Sequence, residues 1–479
     1  MHKLSFYNFY IPVEEDKVFL VYNSFQNSLF EIDYLLGNAL SKKDAGIINL
    51  QDIPIKYKKD LINEGFIVDA FKNEQEIVCR MKRKILTNVR EWSNSVGLVL
   101  LTTNNCNLNC SYCFEGKEKP KTKMDEETFQ RIVKFIELKK KEEKILNLSI
   151  CWYGGEPLLY PNLLKDYGQR LKKICENLDI QMSSSIITNG IGLSNKNIKI
   201  LQEIDIEMIQ VTIDGEKEIH DRRRPFVNSN KSSFDQIIKN LEDVAGKIRI
   251  SIRINVDKEV YPGIQKLFEE LIIRKIWPHN KNISLYLGFT CATKEFNNET
   301  LFSDEEFYSA VVEFRKLKFQ IYNDWAAKND LPSAKLKCQY PRFTNNYCGT
   351  YSGSNAFVID SEGYISKCWE HVNNPQVVIG NIQDGIINTT KSEKFKKIIE
   401  NLNIPQKCLN CKILPICEAQ FCPNDNFELI PNHCSFWKYQ MLNSFKEQYL
   451  MQKQHPNMIE SFDIVNERCN TENFMGFEI

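Results

Sequence analysis

The chain has 479 residues, 42% of them hydrophobic and 26% charged, the balance of a soluble globular protein with room for one to three domains. Its 62 basic and 62 acidic side chains cancel, which makes it a poor candidate for electrostatic binding of nucleic acid. The N-terminus, MHKLSFYNFYIPVEEDK, lacks the apolar core of a signal peptide, and no run approaches the roughly 18 apolar residues of a membrane span, so a cytoplasmic chain with no membrane partner is expected.

The first ninety residues read as a unit of their own. "LSFYNFY" (Leu4–Tyr10) and "VFLVYN" (Val18–Asn23) are rich in aromatic and β-branched residues and flank the turn-like PVEED, which predicts a hairpin. A third strand is expected at Ser28–Glu31, helices at Ile32–Leu40 and Tyr57–Glu64, and a returning strand at Phe66–Asp69. That order predicts a winged-helix-like module over residues 1–90, or a cap that only shields the next domain.

Over residues 91–300 short apolar runs alternate with amphipathic stretches. Strands are predicted at Leu98–Leu101, Leu146–Trp152, Ser183–Ile187, Met208–Thr212, Ile248–Asn255 and Ile283–Phe289, with helices between them at Glu126–Lys141, Asn162–Asn177 and Phe234–Ala245. Six β-α repeats fit an α/β fold, a partial (β/α)6 barrel, whose chemistry collects at the C-terminal ends of the strands. A charged helical connector comes next at 301–335, then an irregular, cysteine-rich stretch at 336–440 and a tail at 441–479.

Sixteen cysteines in a reducing compartment argue against a disulfide framework and for metal. Cys106-x3-Cys110-x2-Cys113 comes directly after the first strand, with no fourth thiol or imidazole nearby. A structural zinc site normally closes its shell with four ligands; a 4Fe–4S cluster on three thiolates leaves one iron open to a small molecule. The second group is Cys338, Cys348, Cys368, Cys408, Cys411, Cys417, Cys422 and Cys434, where metal centres would stabilise a segment short of apolar core.

The triad, with Tyr112 ahead of its last cysteine, resembles the signature of radical S-adenosylmethionine (SAM) enzymes. The resemblance implies that Cys106, Cys110 and Cys113 hold a 4Fe–4S cluster whose open iron binds SAM, and that reductive cleavage yields a 5′-deoxyadenosyl radical. Gly154, Gly155 and Glu156 in "WYGGEPLL" match that family's GGE motif. There the glycines let backbone approach the ligand and the carboxylate accepts from the SAM ammonium. "ITNG", containing Asn189, and "VTIDG", containing Thr212 and Asp214, come after the third and fourth strands; they face ribose or substrate, or are plain turn residues. Arg253 alternates with Ile252 and Ile254 and points into the barrel, toward the SAM carboxylate or a structural salt bridge.

The later cysteines resemble the SPASM domain, which carries two auxiliary 4Fe–4S clusters and makes three clusters in all. The pattern implies Cys348, Cys368 and Cys422, with Cys338, for the first, and Cys408, Cys411, Cys417 and Cys434 for the second. "CEAQFC" has one residue more between Cys417 and Cys422 than the usual spacing, and structural zinc is the alternative.

Such proteins mostly modify peptides. The N-terminal module is similar to the leader-peptide recognition element of ribosomal peptide maturases, where the leader adds a strand to a sheet edge. The expectation is a peptide maturase that abstracts a hydrogen from a ribosomally made precursor and forms a cross-link, a Cys thioether first, with flavodoxin or ferredoxin as electron donor. Carbon–carbon or ether links and epimerisation are alternatives. So are a sulfatase-maturing, formylglycine-forming enzyme, which usually has Asp directly after the G-x4-C cysteine where this chain has Trp369 and then Glu370, and a non-catalytic cluster-bearing scaffold. Cys291, Tyr286 and Glu370 are candidates to quench the substrate radical; a buried packing role is the alternative for Cys291.

Overall fold

The computed structural model describes the chain except residues 88–93, 117–120, 292–295, 297–298, 344–354, 373, 375–377, 385–403, 418–420, 424–428, 432 and 459–479. It divides into two compact units: 1–88 with 315–348 and 398–479, and 89–314 with 349–397. The cysteine-rich stretch expected as one domain at 336–440 is therefore shared between them, and the described part of the stretch expected as a tail, 441–458, belongs to the first unit.

In the first unit, strands β1 (His2–Leu4), β2 (Asn8–Val13), β3 (Val18–Asn23) and β4 (Ser28–Asp33) lead to helix α1 (Tyr34–Ser41), β5 (Ile47–Ile48), helix α2 (Ile55–Asn63), β6 (Ile67–Asp69) and helix α3 (Glu74–Thr87). They form two antiparallel sheets, β2-β3-β4 and β5-β1-β6. The run predicted as one strand, Leu4–Tyr10, is broken, because Ser5 Oγ and the Phe6 N–H both donate to the buried carboxylate of Glu74, at 2.9 and 3.1 Å. The predicted hairpin is present but shifted, with Val13 opposite Val18.

The strand VFLVYN is apolar on both faces because both are covered. Phe19 and Val21 join Leu40, Leu61 and Phe66 in one core. Leu20 and Tyr22 face the other way, into a core with Ile413, Ile416, Trp437, Met441 and Phe445. The latter three lie on the helix Phe436–Gln454, so the first ninety residues are completed by the C-terminal part of the chain. A sheet buried on both faces loses polar alternation, which is why the strand read as a continuous apolar run.

In the second unit, β7 (Ser95–Leu101), β8 (Asn147–Tyr153), β9 (Gln181–Thr188), β10 (Ile206–Thr212), β11 (Arg249–Val256) and β12 (Ile283–Phe289) pair in parallel, in chain order. Helices α4 (Glu126–Glu143), α5 (Pro161–Asn177), α6 (Asn195–Glu203), α7 (Lys217–Arg223), α8 (Ser233–Val244) and α9 (Ile264–Ile273) cross between them. Several start at capping side chains: Asp125 accepts from the Thr128 N–H, Ser194 from Asn197 and Ser232 from Asp235. Unbroken sequential order, without the reversal of a doubly wound sheet, is what a part-barrel requires and places all six C-terminal strand ends on one rim. The long helix α10 (Asp304–Lys328) comes next. Three short strands, β13 (Ala356–Ile359), β14 (Tyr364–Ser366) and β15 (Gly380–Asn381), then extend the sheet beyond β7, in a stretch expected to be irregular.

Candidate radical site and thiol clusters

The loop after β7 carries the cysteine triad and is clamped at its ends. Before the triad, Asn104 N–H donates to Thr122 O (3.1 Å) and Asn105 N–H to the Thr103 hydroxyl (3.0 Å). Within it, the Asn109 and Ser111 N–H groups donate to Pro225 O and Arg223 O, at 2.8 and 2.9 Å. Two donors reach Cys106 Sγ, the Leu108 N–H at 3.4 Å and the Asn189 amide at 3.8 Å.

The two glycines after β8 pack against this loop and also line the cavity it borders. A Cβ on Gly155 would sit 2.2 Å from Asn105 O, and one on Gly154, at φ +131°, 2.2 Å from Thr103 O. Their absence lets the Gly155 N–H reach Thr103 O (2.9 Å) and the Glu156 N–H reach Asn105 O (2.8 Å). Glu156 is held by protein donors. Its buried carboxylate takes the Leu158 N–H (2.9 Å), the Thr188 hydroxyl (2.7 Å) and the Asn189 N–H (2.7 Å). Burial raises its pKa, against the pull of these donors. Through these bonds Glu156 positions the Asn189 turn.

Asp214 is fully buried; its Oδ2 accepts from the Tyr112 hydroxyl, and its Oδ1 has no hydrogen-bond partner among the described residues. The same phenol oxygen accepts from Arg224 Nη1 (2.6 Å) and Asn255 Nδ2 (3.1 Å). His220 Nδ1 accepts from the Asp214 N–H at 3.1 Å, and burial followed by the Arg224 charge pushes its pKa well down, so the ring is neutral with its proton on Nε2. Sequence reasoning missed Arg224, His220 and Asn255. The available signal was three consecutive arginines, Arg222–Arg224, shortly after His220.

Cys106, Cys110 and Cys113 open on one cavity of about 280 Å³, with Tyr112, Gly154, Gly155, Asn189, Thr212 and Arg253 also in its wall. Glu156 and Asp214 are not part of that wall. Arg253 reaches the cavity as its alternation required, and its Nε donates to Asn255 Oδ1 at 2.7 Å instead of to a carboxylate. Gly288 on β12 makes room for that pair, since a Cβ there would lie 2.4 Å from Arg253 Nε. Cys291 and Glu370 line the cavity as well. Cys291 is exposed, contrary to the packing role weighed for it. Tyr286 is not in the wall; its hydroxyl donates to Gln210 at 2.7 Å.

The residues fit a cofactor with an iron–sulfur core. Burial pushes the Cys110 thiol up to about 12, so its thiolate form needs a cation beside it, which such a cluster supplies. Two buried atoms of cavity-lining residues, Arg224 Nε and Thr290 Oγ1, have no hydrogen-bond partner within the described protein, a cost that a polar ligand would relieve.

In the first unit, Cys408, Cys411, Cys417 and Cys434 surround a smaller cavity of about 70 Å³, walled by Ile413 and Leu414. Lys438 Nζ donates to Cys434 Sγ at 3.2 Å. Burial and the three neighbouring sulfurs push the Cys408 thiol up to about 11. Among the described residues no three Cys, His, Asp or Glu side chains are arranged to hold a single ion. Thiols that ring a cavity suit a cluster better than one zinc, which needs all four sulfurs about 2.3 Å from one point. Of the other expected ligands, Cys338 packs beside the first-unit core and Cys368 belongs to the second unit. Cys348 and the Cys422 side chain lie outside the described residues.

Residues 100–271 match the family model of the radical SAM superfamily, and residues 348–412 that of SPASM, an iron–sulfur cluster-binding domain. The chain is 25% identical to a cysteine-type anaerobic sulfatase-maturating enzyme of Clostridium novyi, over 67% of this chain and 86% of that protein. It is 26% identical to the radical SAM cyclopropyl synthase TigE of Paramaledivibacter caminithermalis, over 48% of this chain and about half (52%) of that protein. The structure of native anSMEcpe with bound AdoMet superposes with a TM-score of 0.54 at 18% identity, over 73% of this chain and 98% of that one, a likeness of fold. No described helix is long and apolar enough to cross a membrane.

Proposed function

From a chain that carries a radical SAM domain and a SPASM domain, and is thereby a radical SAM enzyme, we infer a peptide maturase. It abstracts a hydrogen atom from a residue of a ribosomally made precursor and closes a cross-link, a Cys thioether in the first instance. The observation that carries the reading is the three-thiol wall of an open cavity at the C-terminal strand ends, with two buried polar atoms awaiting a partner.

Cys106, Cys110 and Cys113 would hold a 4Fe–4S cluster with SAM on its open iron, which supplies a 5′-deoxyadenosyl radical on reduction. The chain's own residues set the geometry. Gly154 and Gly155 allow the triad loop to seat on the strand ends. Tyr112 is locked by Asp214, Arg224 and Asn255, which fixes the backbone between Cys110 and Cys113. Glu156 holds Asn189 against Cys106. Arg253, tied to Asn255, presents a cation to the cavity that suits a carboxylate.

Cys408, Cys411, Cys417 and Cys434 would close one auxiliary cluster. The peptide reading draws support from the small sheets of the first unit, where β4 and β2 are edge strands suited to an added strand. It also draws on relatives named for protein maturation and for cyclopropyl formation. A flavodoxin- or ferredoxin-type donor would supply the electron.

A second reading, formylglycine formation, is favoured by the alignment over most of the sulfatase-maturating relative and by Glu370 in the cavity wall. The test is anaerobic incubation of the iron-loaded protein with SAM, a reductant and a short Cys-containing peptide from an open reading frame beside its gene. Loss of about two hydrogens per link, with 5′-deoxyadenosine, supports cross-linking. A cysteine converted to an aldehyde supports the second reading. No 5′-deoxyadenosine under reduction refutes both.

A further inference from the structure

Among the described residues, Cys291 is the one thiol in the larger cavity's wall outside the triad. It lies just past Phe289, at the C-terminal end of β12, on the rim where the other strand ends gather. Its residue is exposed, and its surroundings are polar. Glu370 and Arg253 share the cavity wall and both act on its charge. Thr290, next to it, is 3% exposed, yet its hydroxyl has no partner in the described protein and it too lines the cavity. A buried hydroxyl beside an exposed thiol, both on a cavity with reactive chemistry, marks a place prepared for a polar ligand, not packing. Desolvation in the cavity wall, and after it the Glu370 carboxylate, raises the Cys291 pKa, so at neutral pH the sulfur keeps its hydrogen.

We propose that Cys291 is a hydrogen-atom donor to carbon radicals formed in this cavity, with Thr290 helping to orient the ligand beside it. The inference rests on the radical SAM reading. The S–H bond is weak enough to give its hydrogen to an alkyl radical. In the step, the S–H bond of Cys291 breaks, a C–H bond forms on the radical carbon, and a thiyl radical is left on the sulfur. One electron from a low-potential one-electron reductant and one proton from water restore the thiol. With SAM alone the acceptor is the 5′ carbon of deoxyadenosyl. With a peptide present it is a substrate radical that has not closed its bond, which is returned to C–H. Quenching is thus a built-in competitor of cross-linking.

The experiment needs no peptide. The iron-loaded full chain is reduced with dithionite and given SAM in deuterated water, and deuterium per molecule of 5′-deoxyadenosine is read by mass spectrometry. The thiol exchanges with solvent, so the wild type should deliver deuterium to the 5′ carbon, and Cys291→Ser and Cys291→Ala should lose that label. Label per molecule unchanged in both variants overturns the proposal. A wild type that makes no 5′-deoxyadenosine sinks the radical SAM reading itself, which the label ratio does not. A second readout needs no turnover. N-ethylmaleimide modification of Cys291, mapped by mass spectrometry in unreduced protein, should slow when SAM is added. An unchanged rate would place Cys291 out of reach of the 5′ carbon and overturn the proposal.

Discussion

The two cysteine-lined cavities use the same side chain for opposite ends. In the second unit three thiols share about 280 Å³ with two arginines, two asparagines, three threonines and a further thiol. In the first unit four thiols share about 70 Å³ with isoleucine, leucine, a serine and two lysines. The fourth thiol can close the shell of the smaller site, while the triad leaves a ligand position; buried polar atoms without a partner among the described residues line both, Ser435 Oγ in the smaller and Arg224 Nε and Thr290 Oγ1 in the larger. The contrast matches the general division between closed structural centres and open reactive ones.

The largest test of that contrast removes one thiol from each cavity. Cys110→Ala should abolish 5′-deoxyadenosine formation while most iron stays bound, since the other thiols lie elsewhere. Cys411→Ala should lower iron content and melting temperature together, because Cys411 also packs on the core of Trp437 and Phe445. Equal iron loss in both variants would erase the distinction. Next in size is Gly155→Ala. The added carbon meets Asn105 O at 2.2 Å, so the triad loop must lift from the strand ends. Iron at the open site and SAM cleavage should fall by more than about tenfold, an effect of about 1.4 kcal/mol or more, with the four-thiol cavity unaffected.

A smaller effect is expected from Tyr112→Phe, which strips one hydroxyl from Asp214, Arg224 and Asn255 at once. Leaving such groups unpaired costs on the order of 1–3 kcal/mol. It should show as a lower midpoint of chemical unfolding and weaker SAM binding by calorimetry. Wild-type values for both would mean that the network only fills space.

The smallest effect is on pH dependence. Asp360 caps the turn between β13 and β14, accepting from the Glu362 and Tyr364 N–H groups, and burial pushes its pKa up to about 6. A carboxyl whose folded pKa lies above its unfolded value, about 3.9, binds its proton more tightly when folded. Its contribution is therefore greatest below about pH 4 and declines as pH rises to about 6, by at most about 3 kcal/mol. Asp360→Asn should flatten stability across that window; a stability curve that keeps its slope in the variant assigns the slope to other groups.

Much of the second unit was legible because its signals are local. Apolar runs of strand length alternate with capped amphipathic helices, and all six predicted strands lie within a few residues of β7–β12. The triad was legible because three thiols in eight residues have few other uses. Arg224 and Asn255 were not, since nothing near them in sequence tells that they meet Tyr112, more than a hundred residues away. The contacts of Gly154, Gly155 and Glu156 with the triad loop and the Asn189 turn were not legible either, because a motif gives residue types and not the direction they face.

By itself, then, the amino-acid order determined the β-α alternation, the triad spacing and the grouping of the later cysteines, all carried by neighbours within a turn or a strand. Only tertiary structure decided the rest. It gave the Glu156 carboxylate to Asn189, put Asp214 behind Tyr112, brought Cys291 into the cavity wall and laid the helix Phe436–Gln454 on the sheet of β3. The reason is physical: a buried polar or apolar group must find its complement somewhere, and the chain supplies it from whichever segment packing brings within reach.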